Sequence, residues 1–213
     1  MRIRMFRTTG ISCMPPSTTK AGIPIHRIEV GMKPRFRDPV GEHVRHQLAD
    51  DLGIEVDGVQ VIDVYTVHAD IDAESMERVR TELFTDPIIQ DSALNGSIAS
   101  DYDYLIEVGF LPGVTDNVGK SSAEGIADVL GRSFGDGEAV YKSVQYAVKG
   151  DVDAETCDAF THDLLANELI QQWVVKSSDE MGALDSDQLL DLPIVTGQSD
   201  TEVQEIDLDI SDE

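Results

Sequence analysis

Two stretches of the chain alternate between apolar and polar positions, the first over residues 26–32 and the second over residues 104–110. A period of two places successive side chains on opposite faces of a strand. Each stretch is therefore predicted to form a half-buried strand. The residues expected on the buried faces are His26, Ile28, Val30, Met32, Tyr104, Ile106, Val108 and Phe110.

A turn and a helix are predicted after each of these strands. Pro34 and Pro112 indicate the turns, and Asp38 and Asp116 stand where a helix N-cap is expected. Pro39 fits the first helical position of the first helix. Apolar residues at helical spacing predict the buried stripes of the two helices, which are Val40, Val44 and Leu48 in one and Val118, Ile126 and Leu130 in the other.

The remaining elements also come in pairs. The β-rich runs at 59–67 and 143–148 predict second strands. Asp72 and Asp153 then predict the N-caps of second helices. Third strands are expected at Ile88–Ser92 and Leu169–Val175. The second helices are expected to bury one face each, with Met76, Val79 and Leu83 in one and Cys157, Phe160 and Leu164 in the other.

This pairing reflects an internal repeat. IEVGMKPRFRDPVG (28–41) and IEVGFLPGVTDNVG (106–119) share eight of fourteen residues, and the segments 70–75 and 83–90 recur at 151–156 and 164–171. The sequence therefore predicts an α+β fold of two tandem β-α-β-α-β units, at 25–94 and 103–177. Each unit is expected to form a three-stranded antiparallel-type sheet covered by two helices. Because one unit of this size is marginal alone, the two are expected to pack sheet face on face or edge to edge with pseudo-two-fold symmetry.

The charge of the chain is strongly negative and uneven. Against 16 Lys and Arg residues stand 41 Asp and Glu residues, for a formal net charge of -25. This excludes general binding to a nucleic-acid backbone, which requires a basic surface. Basic residues concentrate at the start, where residues 1–24 are predicted to be a disordered basic leader; their composition also loosely suggests a transit peptide.

The end of the chain is acidic. Residues 178–213 are expected to be a solvated acidic tail, or a linker towards a domain that the sequence does not contain. Ile206, Leu208 and Ile210 alternate with acidic residues there, and apolar residues without a partner favour the linker.

The two cysteines, Cys13 and Cys157, show no ligand spacing. They do not predict a disulfide framework, so a cytoplasmic protein is expected. No apolar run approaches the roughly 20 residues that a membrane-spanning helix needs.

No arrangement of residues predicts catalysis or a metal site. Lys120 and Ser121 follow Gly119, but the spacing to Gly113 does not fit a phosphate-binding loop. His43 and His46 are expected on a solvated helix face. Cys157 is expected in the core, five residues from His162 and thus on a different side of the helix, and Trp173 is expected in the core or an interface. We therefore expect no catalytic, cofactor-binding or metal-binding residue in this chain.

The repeated motifs resemble the PurS subunit of phosphoribosylformylglycinamidine synthase, which carries a KPGV-D-x-x-G turn and an LLANPxIE segment. LPGVTDNVG (111–119) and LLANELIQQW (164–173) are similar to these stretches. The turn and helix-start residues that match the family pattern are Pro34, Asp38, Gly41, Pro112, Gly113, Asp116 and Gly119. Arg35 and Phe36 depart from it, as does Glu168. The duplicated form is most similar to the N-terminal region of long single-chain forms, which carry two fused PurS-like units.

This resemblance implies a noncatalytic part of an enzyme of purine biosynthesis, packed like a PurS dimer. The complete family enzyme converts formylglycinamide ribonucleotide, ATP and glutamine-derived ammonia into formylglycinamidine ribonucleotide. The PurS-like part is implied to hold the synthase and glutaminase parts together, and ATP and magnesium are expected only in the complete enzyme. The residues alone leave two alternatives: a freestanding metabolite-sensing module that binds its ligand between the repeats, and a self-contained enzyme, which the absence of a catalytic constellation disfavours.

Overall fold

The computed structural model describes residues 17–18, 22–183 and 190–193. Most of the leader and the end of the tail lie outside them. The strands are β1 (Ser17–Thr18), β2 (Pro24–Met32), β3 (Gly58–His68), β4 (Gln90–Leu94), β5 (Tyr104–Phe110), β6 (Ala139–Lys149) and β7 (Gln171–Ser177). The helices are α1 (Pro39–Leu52), α2 (Ala73–Val79), α3 (Asn117–Leu130), α4 (Ala154–Phe160) and α5 (Ser178–Ala183), and π-helical turns at Arg80–Phe84 and Thr161–Leu165 extend α2 and α4. None of the helices in these ranges is long and apolar enough to cross a membrane.

All the strands belong to one antiparallel sheet. Its order is β1-β2-β3-β6-β5-β7, and β4 pairs with β2 on the side that also carries β1. The strands β3 and β6 pair along their whole length, from Gly58 opposite Lys149 to His68 opposite Ala139. The two predicted three-stranded sheets are therefore parts of one continuous sheet. Pairing β3 with β6 satisfies backbone groups that two separate sheets would leave unpaired at their edges.

The first half (24–94) and the second half (104–177) also share their hydrophobic cores. Buried Ile126 of α3 packs with Ile28 and Met76 of the first half. In the opposite direction, buried Leu48 of α1 packs with Ile106 and the second-half helix α4. Each half therefore completes its core with a helix of the other half.

The first helix of each half buries a glycine where the sequence predicts an apolar side chain. Val40 and Val118 are 54% and 49% exposed, while Gly41 and Gly119 are buried. The predicted stripe is wrong at these valines because the helix backbone lies directly against a strand at its first turn. No room remains there for a side chain.

The π-helical turn shifts the apolar face of the second helix in the first half. Met76 and Val79 are buried as predicted, but Leu83 is 38% exposed, and Phe84 packs on the core instead. The extra residue in a π turn rotates the side chains that follow it. The prediction for Leu83 was therefore wrong.

The third strands begin two residues later than predicted. Asp86 accepts a hydrogen bond from Ile88 N (2.8 Å), and Asn167 accepts one from Leu169 N (3.1 Å). Such Asx turns compete with strand pairing at the residues they enclose. The strands accordingly start at Gln90 and Gln171.

The strands β2 and β5 are buried on both faces, so the prediction of half-buried strands is wrong. Helices cover one face. On the opposite, polar face, Ile98 lies against Gly31 and Leu190 lies against Gly109; a Cβ on these glycines would come within 3.0 and 2.9 Å of the two side chains. The segment that follows the third strand of each half thus crosses this face.

The ends of the fold extend beyond the two predicted units. Ser17 and Thr18, inside the predicted disordered leader, pair with Ile25 and Pro24 of β2. On the other side, α5 begins directly after β7, inside the predicted acidic tail. The leader and the tail are therefore ordered where they touch the sheet.

Buried histidines make stability depend on pH. His26 of β2 is 1% exposed, and its Nε2 lies 2.8 Å from the carbonyl oxygen of Ile71. Burial lowers the pKa of His26, although the Ile71 carbonyl and Asp72 act in the raising direction. Burial likewise lowers the pKa of His68, against Glu138 and the Gly137 backbone. Both imidazoles are therefore harder to protonate in the folded protein than in the unfolded chain.

We expect the free energy of unfolding to fall as the pH drops from 7.5 to 5.5. The unfolded chain protonates its histidines below about pH 6.5, before the folded chain does, at a cost of up to about 1.4 kcal/mol per pH unit for each group. Urea denaturation across this range measures the slope. His26→Gln keeps a side-chain N–H donor and should flatten this slope. Equal slopes for the wild type and His26→Gln would contradict this assignment.

Candidate interaction site

Asp38 connects the start of α1 to strand β3. Its Oδ1 accepts hydrogen bonds from Val40 N (3.0 Å) and Gly41 N (2.9 Å), which caps the helix. Its Oδ2 accepts a third hydrogen bond from Val61 N in β3 (2.8 Å). One carboxylate therefore fixes the helix relative to the sheet.

Asp116 makes the same connection in the second half. Its Oδ1 accepts a hydrogen bond from Gly119 N and its Oδ2 one from Lys142 N in β6, both at 2.7 Å. The strand residues Val61 and Lys142 are themselves 81 positions apart, the offset at which the later repeat segments match.

The glycine three residues after each aspartate allows the helix to approach the strand. A Cβ on Gly41 would lie 2.0 Å from the carbonyl oxygen of Val59, and one on Gly119 would lie 2.3 Å from that of Val140. Both distances are shorter than any real Cβ contact. The Asp-x-x-Gly spacing is thus a helix-to-strand junction.

The turns at Pro34 and Pro112 differ between the halves. Both are closed by a backbone hydrogen bond, from Phe36 N to Lys33 O (2.8 Å) and from Val114 N to Leu111 O (3.2 Å). Gly113 has a φ of +87°, a conformation that favours glycine. Arg35, at the equivalent place, is not among the described residues with positive φ. The first turn therefore tolerates a side chain there.

Each turn packs against the loop that precedes the third strand. Lys33 N donates to Ile89 O (2.9 Å), and Leu111 N donates to Ile170 O (3.0 Å). The two motifs, far apart in the sequence, consequently form one surface in each half. We call residues 33–40 with 86–89 the first turn surface, and residues 111–118 with 167–170 the second turn surface.

Both turn surfaces expose large apolar side chains. Ile88 is 68% exposed and Leu169 is 79% exposed. The others are Phe36 and Val40 on the first surface and Val118 and Ile170 on the second. Because β2 and β5 run in opposite directions in the sheet, the surfaces lie at opposite ends of the strands. Apolar residues exposed in this way are typical of surfaces that bind another polypeptide.

A buried charge cluster on the polar face was missed by the sequence analysis. Arg27 crosses from β2 to β5, where its two terminal nitrogens lie 3.2 and 2.8 Å from the carboxylate oxygens of Glu107. Its Nε donates to Glu29 (3.2 Å). Ser143 and Gln145 also donate to Glu107. Charged residues at alternate positions of a strand were the available signal, but alternation usually indicates a solvated face.

The cluster is almost fully desolvated. The side chains of Arg27 and Glu29 are 4% exposed, and that of Glu107 is 2% exposed. Burial by itself would lower the pKa of Arg27, but the carboxylates of Glu107 and Glu29 outweigh it and raise the pKa. A cavity of about 30 Å³ lies beside Arg27 and Glu107, under Leu190. That volume holds one or two water molecules.

The other side chains considered as metal ligands or catalytic groups do not form a common site among the described residues. His43 and His46 are exposed on α1, and the described part of the chain contains no group of three or more potential metal ligands. Cys157 is fully buried, and burial, aided by Asp153, raises its pKa to about 12. Its core position is therefore confirmed. Trp173 Nε1 donates to Asp158 (2.8 Å).

Comparison with known families finds a match over the first half. Residues 25–96 match the family model of PurS, described as phosphoribosylformylglycinamidine (FGAM) synthase. This region is PurS-like, and the PurS domain is associated with FGAM synthase in purine biosynthesis. The match covers about a third of the chain. No curated protein matches the sequence.

Proposed function

We propose that the chain is a noncatalytic, PurS-like scaffold of phosphoribosylformylglycinamidine synthase, built from two fused PurS-like units at 25–94 and 103–177 as in the long single-chain form. The family match over residues 25–96 carries the proposal. It is extended to the second half by the equivalent junctions of Asp38 with Gly41 and of Asp116 with Gly119. In this proposal one ancestral unit was duplicated, and β3 and β6 pair across a pseudo-two-fold axis, as the two subunits of a PurS dimer would.

A scaffold that joins two partners needs two separate binding surfaces. The first and second turn surfaces are separate and expose Ile88 and Leu169, respectively. We propose that they contact the synthase and glutaminase parts of the enzyme, and that residues 178–213 form an acidic linker or tail towards the synthase. Five of the family-motif residues, Pro34, Asp38, Pro112, Gly113 and Asp116, then lie in these surfaces. ATP and magnesium bind to the other parts of the complete enzyme, in the cytoplasm.

The size and openness of the described pockets favour a scaffold over a metabolite-sensing module. Sites for small molecules typically have volumes of about 300–1,000 Å³. The cavity beside Arg27 has only about 30 Å³, and the larger described pockets, such as the one of about 430 Å³ along Tyr65 and Val118, are open grooves. An open groove buries less of a bound molecule than a typical small-molecule site does.

Reconstitution with purified partners tests the proposal. The chain is mixed with the synthase and glutaminase polypeptides from the same source, and complex mass and glutamine-dependent formation of formylglycinamidine ribonucleotide are measured. We expect a ternary complex and a higher glutamine-dependent rate than without the chain.

Substitutions on the turn surfaces refine this experiment. Ile88→Asp and Leu169→Asp should each weaken assembly by tenfold or more, because each places a charge in an interface. Leu52→Asp, an exposed position at the end of α1 (37%), is the matched control and should assemble normally. Failure of the wild-type chain to bind either polypeptide, together with saturable binding of a metabolite, would instead establish the sensing module.

A further inference from the structure

We propose that the first turn surface binds the acidic segment 202–213 of the same chain. This inference concerns the chain without its proposed partners, which would displace the segment when they bind to this surface. It rests on the charge and apolar character of the surface, on the composition of the segment and on the place where the described chain ends.

The first turn surface carries the cations Lys33, Arg35 and Arg37 beside two carboxylates, Asp38 and Asp86, which accept hydrogen bonds from the backbone. Lys33 and Arg35 donate to the backbone carbonyls of Pro87 and Ile88 rather than to carboxylates, within the part of the chain that the structure describes. Their charges are therefore not neutralised by an ion pair there, whereas Arg37 pairs with Glu42 (3.2 Å). On a chain with a net charge of -25, a surface with one more cation than carboxylate is unusual. It attracts acidic segments at close range.

Apolar side chains stand directly beside these cations. Arg35 lies over the ring of Phe36, with its Cζ 4.9 Å from the ring centroid. Ile88, whose carbonyl Arg35 binds, is 68% exposed. A complementary ligand would therefore combine carboxylates with aliphatic side chains.

The second turn surface has a different character. Leu111, Gly113 and Thr115 stand where the first surface has Lys33, Arg35 and Arg37. It is equally apolar but lacks these three cations. The two surfaces thus provide an internal comparison within one molecule.

The segment 202–213 has the composition that the first surface requires. It contains no Lys or Arg, and its acidic residues are Glu202, Glu205, Asp207, Asp209, Asp212 and Glu213. Its aliphatic residues are Val203, Ile206, Leu208 and Ile210. Acidic and aliphatic residues alternate from Glu205 to Ile210, so an extended segment presents carboxylates on one side and aliphatic groups on the other.

The segment can reach the surface. The described chain ends at Pro193, which lines the cavity beside Phe110 and Gln172. From the sheet register, the first turn lies three strands away and at the opposite end, a distance of roughly 30 Å. The 13 residues from Pro193 to Ile206 span up to about 43 Å when extended.

Paramagnetic relaxation enhancement in the full-length chain tests this contact. A nitroxide is attached to Ser211→Cys in a Cys13→Ser background, which leaves every acidic residue in place; Cys157 is fully buried. We expect at least twofold stronger broadening of the amide signals of residues 33–37 and 87–89 than of residues 111–115 and 168–170. Equal broadening at both turn surfaces, or none at either, would overturn the proposal.

Charge reversal separates specific binding from general attraction. Arg35→Glu should reduce the broadening at the first turn surface by at least half, and 0.5 M NaCl should do the same in the wild type. Lys120→Glu, an equal charge change on exposed α3, is the control and should leave the broadening unchanged. A similar reduction by both variants would show nonspecific attraction and overturn the proposal. The thermal midpoint of each variant verifies that it is folded.

Mixing distinguishes contact within one chain from contact between chains. Nitroxide-bearing protein of natural isotope abundance is mixed with isotope-labelled protein that carries no nitroxide. We expect no broadening in this mixture at low concentration. Broadening as strong as in the sample whose isotope-labelled chains themselves carry the nitroxide would assign the segment to a second copy. That result would contradict binding within the same chain.

Discussion

Replacing Arg27 with methionine should lower the free energy of unfolding by about 3–5 kcal/mol, because two carboxylates lose their buried counter-charge. Glu29 and Glu107 both bind this guanidinium, and their side chains are only 4% and 2% exposed. Methionine preserves much of the apolar volume of the arginine stem, so the loss reports on charge. Chemical denaturation monitored by the fluorescence of Trp173 measures it.

Arg78→Met is the matched control for this experiment. Arg78 pairs with Glu82 at 3.0 Å, but both side chains are more than half exposed. Such surface pairs contribute about 0.5 kcal/mol or less. Adding Glu107→Gln to Arg27→Met should recover part of the lost stability, because it removes one unpaired charge. If Arg27→Met and Arg78→Met lowered the free energy of unfolding by the same small amount, the buried cluster would not contribute to stability as described.

Gly119→Ala should destabilise the protein by about 2–4 kcal/mol, since the added methyl group collides with the backbone. The colliding atom is the carbonyl oxygen of Val140, 2.3 Å from the expected Cβ position, and it belongs to a central strand that cannot retreat easily. The helix would have to move outwards, which would stretch the hydrogen bond from Lys142 N to Asp116. A lower thermal midpoint and faster exchange of the Lys142 amide are the measurements.

Gly125→Ala in the same helix controls for helix propensity. The nearest atoms to a Cβ at Gly125 would belong to the side chain of Leu83, at 3.2 Å, and Leu83 is partly exposed and able to shift. Alanine is favoured over glycine in a helix interior by up to about 1 kcal/mol. This variant should therefore be neutral or more stable. A Gly119→Ala variant as stable as Gly125→Ala would show that α3 is not held against β6.

Local chemistry explains which elements could be read from the sequence. Asp38 and Asp116 cap their helices at the positions expected from the sequence, because an N-cap depends on neighbouring backbone groups. The core placement of Cys157 followed from helical spacing alone. The boundaries of the third strands were missed because the side chains of Asp86 and Asn167 close short turns that an apolar pattern does not reveal.

Contacts between residues far apart in the sequence explain the features that could not be predicted from it. The alternation of Arg27 and Glu29 with apolar residues indicated a solvated face, but segments distant in sequence, around Ile98 and Leu190, cover it. The pairing of β3 with β6 and the packing of α1 in the core of the second half likewise depend on residues more than 50 positions apart. Of the interaction site, the motif residues were identified, whereas their assembly into two turn surfaces was not.

The reciprocal placement of α1 and α3 has a consequence for how such a chain assembles. A separate half would keep its strands but lack the helix that closes its core, and it could obtain that helix only from another molecule. Joining both halves in one polypeptide replaces a concentration-dependent encounter with an intramolecular one, at an effective concentration in the millimolar range for a short connection. The single chain can therefore stay assembled at dilutions where its two halves, as separate polypeptides, would dissociate.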